Sequence, residues 1–186
     1  LVALRVELQR LRGMVIGQQQ VAGPFGELHH RVMHVHADQP ALERAEALAQ
    51  AITCRQAALA GDMIWEHYRA DWSVDWEYNL HDKTNIYRPW GYQPGHHTEW
   101  AKLLLQLDAH LPADWHLPRA EELFEAAVSR SWDAVHGGLH YGFAPDDSIC
   151  DGDKYHWVQA ESFAAAALLG VRTGKQEYWD WYAKIW

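Results

Sequence analysis

Residues 162–171, SFAAAALLGV, run without a single charged side chain and close a longer segment, YHWVQAESFAAAALLGV (155–171), in which Glu161 is the last charge. Alanine and leucine favour helix, and a helix with no polar face has to be covered on every side. Its small alanines let neighbours approach closely, as a buried inner helix requires. A chain carrying this segment must therefore fold around it, and the remaining sequence supplies helices to do so. Residues 41–60, ALERAEALAQAITCRQAALA, predict a helix with Leu42, Ala45, Leu48, Ala49 and Ile52 at helical spacing, stopped by Gly61-Asp62. A second helix is expected from near His96 through EWAKLLLQLDAHL. A third is expected over RAEELFEAAVSRSWDAV (119–135), with Leu123, Phe124, Ala127 and Val128 as its buried stripe. A fifth begins near Gln176, after a break at Gly174.

No alternating strand runs occur between these segments. Instead, two long connections stand out: residues 62–95, rich in tryptophan, and residues 136–153, rich in glycine and aspartate. Loops of such length within a compact domain are usually functional. The expected class is all-α, with paired helices whose long loops gather on one side, in a single domain over residues 1–186. Residues 1–40 have no clean period, apart from a short helix expected near 27–36.

With 48% hydrophobic and 22% charged residues, a folded globular chain is expected. A net charge of -9 argues against nucleic-acid or anionic-membrane partners, which need a basic surface. No stretch approaches the roughly 20 apolar residues of a membrane span. Cys54 and Cys150 have no metal-type spacing, and a reducing cytoplasm is the expected compartment. Both ends read as cut, since the chain starts at Leu1 and stops inside the aromatic run YWDWYAKIW. Eleven tryptophans suit core filling, or a sugar site in which a ring stacks on the C–H face of a carbohydrate.

Two constellations can carry chemistry. In Pro94-Gly95-His96-His97-Thr98-Glu99-Trp100, proline and glycine place His96 in the first turn of a helix with Glu99 on the same face. The helix dipole there favours neutral imidazole, and a nearby carboxylate pulls the other way and can fix the tautomer. This is the layout of a general base, and equally that of a solvated helix start with an ion pair. In Lys154-Tyr155-His156-Trp157-Val158-Gln159-Ala160-Glu161, Trp157 and Glu161 share a helix face. Glu161 is either a site residue or the partner of Lys154 or another cation, because an unpaired buried carboxylate is costly. Paired carboxylates, Glu161 with Asp71, Asp75 or Glu99, would instead suit a glycoside hydrolase or lyase. His29, His30, His34 and His36 cluster, but HExxH and Cys/His knuckle spacings are absent, so no metal is expected. No phosphate loop or nucleophile elbow is present either.

RPWGYQPGHHTEWAKLLL and, farther on, DKYHWVQAESFAAAALL resemble two signature regions of the N-acylglucosamine 2-epimerase superfamily, and IWEHYRADWSVDWEYN is similar to the loop before the first. The resemblance covers residues 41–186. It implies an (α/α)6 barrel, of which this chain is a part incomplete at both ends. It also implies proton-transfer chemistry on a free monosaccharide such as mannose, without a cofactor. The run KYHW leans towards the aldose–ketose isomerase branch. Carried over by position, His96 is the proton-transfer residue, Glu99 its partner and Glu161 an acid–base support, with Trp157, Gln159, Trp90 and Arg88 contacting substrate. A second catalytic histidine is expected after Trp186 and a substrate-contacting arginine before Leu1. The family's asparagine-and-histidine segment is expected within residues 13–35. A homo-oligomer is left open.

Overall fold

The computed structural model describes residues 39–186. The helix expected near 27–36 and the histidines at 29–36 lie outside them. The chain divides into units 1–48 and 49–186, and everything below residue 49 belongs to the first. Helix α1 (Gln39–Ala49) is followed by a π-helical turn, Gln50–Gln56, and a 3-10 turn, Ala57–Leu59. The uninterrupted α-helix expected over 41–60 is thus widened at its centre, where the Thr53 hydroxyl donates to the Ala49 carbonyl (2.8 Å). Gly61 and Asp62, both at positive φ, end it where the sequence indicates.

Four further helices follow: α2 (Pro94–Asp108), α3 (His116–Ser131), α4 (His156–Thr173) and α5 (Gln176–Ile185). Pro94 opens α2, where its missing N–H costs nothing. Gly174 closes α4 at φ 71°, its N–H bonded to the Gly170 carbonyl. Helix α3 stops at Ser131, four residues short of the sequence expectation. Trp132 turns extended, and the Asp133 carboxylate accepts from the backbone N–H groups of Val135 (2.8 Å) and His136 (3.0 Å). That local cap competes with continued helix.

Helices α2, α3, α4 and α5 pack in chain order, and α2 also packs directly on α4. The contacts along the α2–α4 seam keep a nearly constant sequence offset. Gly95 abuts Trp157 and Val158, Thr98 bonds Ser162 (3.0 Å), Lys102 meets Glu161, and Asp108 meets Arg172. These two helices therefore run parallel. Against α4, α5 runs the other way: Gly170 lies under Trp179, and Phe163 meets Tyr182 and Trp186. Parallel inner helices joined through antiparallel outer ones are the repeating arrangement of an α/α barrel.

The two long connections meet at one end of the helices. Tyr92 and Phe143 exchange backbone hydrogen bonds (2.8 and 3.1 Å), and Trp65, Val74, Trp90, Tyr92 and Phe143 form a loop core of their own. Contrary to the strand-free expectation, residues 136–153 fold back as a short antiparallel pair, β1 (Gly142–Phe143) and β2 (Ile149–Asp151).

Candidate active site

His96 lies in the first turn of α2, beneath the loop core, with its side chain 24% exposed. Its Nδ1 is 2.8 Å from Oε1 of Glu66, which comes from the long loop. The ring of Trp157, at the start of α4, tilts over the imidazole at 5.3 Å between centroids, and Tyr141 stands edge-on behind Trp157 at 6.1 Å. Burial pushes the His96 pKa down. The charge and hydrogen bond of Glu66, with the added charge of Glu99, more than offset this and leave it raised. The carboxylates thus outweigh the tendency to neutrality expected from the helix dipole.

The adjacent His97 points the opposite way. It is fully buried, takes the Ile64 N–H on Nε2 (3.1 Å), and donates from Nδ1 to the Gln93 carbonyl (2.8 Å). Burial pushes its pKa down to about 4. One histidine ties the loop to the helix; the other, partly exposed, meets Glu66 and Trp157.

The sequence-predicted residues separate into those gathered along this seam and those placed elsewhere. His96, Glu99, Trp157 and Glu161 lie along the α2–α4 seam. Glu99, expected to be the hydrogen-bonded partner of His96, is buried and acts on it through charge, whereas the bonded carboxylate is Glu66. Glu161 pairs with Lys102, not with Lys154, which bonds Asp133 at 2.5 Å. Gln159, expected at the substrate, spends its amide on the loop backbone, accepting from Leu139 N–H and donating to Leu139 C=O, each at 2.9 Å. Trp90 belongs to the loop core, its Nε1 donating to the Trp76 carbonyl at 2.7 Å. Arg88 is exposed on the loop and held by its backbone through Asn79 and Asn85. Asp71 caps a turn at Ser73 and Asp75 faces Arg69, so neither is paired with Glu161.

Sequence reasoning missed Glu66 and Lys102. No periodicity relates Glu66 to a helix thirty residues on. Lys102 was legible in principle: it is the only lysine or arginine of α2, and it faces the only carboxylate of α4. Among the described residues, no helix is long and apolar enough to cross a membrane.

This seam brings a partly buried histidine in the first turn of one helix against a tryptophan in the first turn of the next. The chain belongs to the N-acylglucosamine 2-epimerase (GlcNAc 2-epimerase) family, whose profile matches residues 31–186. It is 53% identical over 146 residues to a D-mannose isomerase of Marinomonas mediterranea, covering 78% of this chain and 37% of that protein. It is 40% identical over 148 residues to a D-mannose isomerase of Thermobifida fusca, covering 77% and 36%. A crystal structure of D-mannose isomerase superposes with a TM-score of 0.80 at 51% identity, over 82% of this chain and 39% of the other. The described helices are thus part of an (α/α)6 barrel. The chain spans little more than a third of the length of these relatives.

Proposed function

We propose that the site serves an aldose–ketose isomerase acting on a free monosaccharide such as mannose. His96 takes the proton from C2 of the open-chain aldose, the electrons form a cis-enediol(ate), and the proton returns to C1. The C2 hydroxyl proton passes to the former carbonyl oxygen, so no oxidant or reductant is consumed. Trp157 supplies an apolar wall for the C–H face of the sugar. Glu99 holds charge beside the imidazole, and Glu161, fixed by Lys102, offers an acceptor for a sugar hydroxyl. The observation that carries this reading is His96 itself. It is partly buried in the first turn of α2, carboxylate-bonded and walled by Trp157, in a chain 53% identical over 146 residues to a D-mannose isomerase.

The test places the site in a barrel of full length. Residues of this chain replace the matching 146-residue stretch of the Marinomonas mediterranea D-mannose isomerase, and loss of the C2 proton of mannose is followed by NMR in deuterated water. The chimera should exchange that proton. His96→Asn should slow exchange by at least roughly 100-fold with little change in KM, as expected for losing a general base. Undiminished exchange in the variant would remove His96 from the reaction.

A further inference from the structure

We propose that Glu66, carried by the loop and not by the helix that bears His96, is the positioning residue of the site: it accepts the Nδ1 proton of His96 and so presents Nε2 to the substrate. This rests on the proton-transfer reading of His96 above. A neutral imidazole carries one proton, and the nitrogen left free is set by the bond the other one makes. With Nδ1 2.8 Å from Glu66 Oε1, the lone pair falls on Nε2.

The loop holds Glu66 at that spot from both sides. Ile64 gives its N–H to His97, so the chain just before Glu66 is tied to the helix that carries His96. Trp65 is almost fully buried, bonds the Asp75 carbonyl through Nε1 (3.0 Å), and pairs its backbone with Tyr92. After Glu66, Nε2 of His67 lies 2.7 Å from the Pro89 carbonyl. The Glu66 side chain is 11% exposed, so the bond is shielded from competing water. Two carboxylates bear on the charge of His96. Glu66 faces it from the loop and Glu99 from its own helix, while Tyr141, whose hydroxyl burial pushes up to about 12, stays neutral behind Trp157. Lys102 and Glu161 lie farther along the seam and compensate each other. Of these, Glu66 alone is both charged and bonded to His96 at Nδ1.

The experiment is a 15N NMR titration of the histidine side chains in the 186-residue chain, with His96 assigned by loss of its signal in His96→Asn. The neutral ring should show a protonated Nδ1 and an unprotonated Nε2. Glu66→Gln can keep the hydrogen bond through its amide oxygen but removes the charge, so the His96 pKa should fall by about one pH unit or more, while Glu66→Asp should restore part of it. The same variants in the chimera should move the acid limb of C2–H exchange to lower pH and lower kcat with KM held. An Nε2-protonated ring, or a His96 pKa unmoved in folded Glu66→Gln, would overturn the assignment. If the isolated chain is too poorly folded for the titration, the pH limb in the chimera decides alone. The NMR reading does not depend on turnover, so a chimera that lacks exchange but shows the shift would refute the isomerase reading and leave Glu66 in place.

Discussion

His96 and His97 are neighbours in sequence, and their surroundings drive their protonation in opposite directions. His97 titrates near 6.5 when the chain is unfolded and is held at about 4 by burial in the fold. As pH falls below about 6.5 the unfolded chain gains a proton that the fold refuses, so stability present above that pH is lost towards pH 4. The loss should be on the order of 3 kcal/mol. For His96 the sign reverses. Its folded pKa is raised, so its pairing stabilises the fold below the unfolded value and ceases to do so as pH climbs through the folded one. Urea unfolding at pH 7 and pH 4.5 separates the two. Wild type should lose more stability on acidification than His97→Gln, and equal losses would show that His97 is not buried neutral.

Among the helices, the α2–α4 and α4–α5 contacts depend on small side chains. A Cβ added at Gly95 would lie 2.5 Å from the Trp157 ring, and one at Gly170 would lie 2.7 Å from Trp179. In the Pro-Gly-His run the glycine therefore does more than start a helix: it lets the Trp157 ring press against the helix that carries His96. Gly95→Ala should displace Trp157 and cost about 1–3 kcal/mol by overpacking, against the small gain alanine brings to a helix. Thermal melts of the chain would show it as a lower Tm, and a raised Tm would mean that the seam has slack. The same substitution in the chimera should raise KM for mannose, since the displaced Trp157 ring is the proposed sugar wall.

At the scale of the whole molecule, several large apolar side chains among the described residues are exposed. Val171 at the end of α4 is 70% exposed, and Trp186, just past α5, is 82% exposed. In the loop, Tyr87 and Trp72 are exposed as well, the latter at positive φ, where a bulky side chain is uncommon. Exposed apolar surface of this kind promotes association. Sedimentation at increasing concentration should show self-association of the 186-residue chain, accompanied by a broad melt. A monomer with a sharp, cooperative transition would mean that these side chains are no liability.

The sequence by itself determined which segments are helical, because spacing of apolar residues and stop signals such as Gly61 and Gly174 act locally. It also marked His96, since a proline and a glycine before a histidine define a helix mouth without reference to anything distant. Some local errors remained where side chains outbid the pattern, as when Asp133 capped its own turn and ended α3 early. What only the tertiary structure decided was partnership. Glu66 reaches His96 across thirty residues, Lys102 reaches Glu161 across fifty-nine, and Trp90 packs into a loop core with Trp65 and Tyr92. Such choices rest on which loop folds over which helix, and they are set by burial and by the need of each buried polar group for a partner. A period of 3.6 residues carries no record of them.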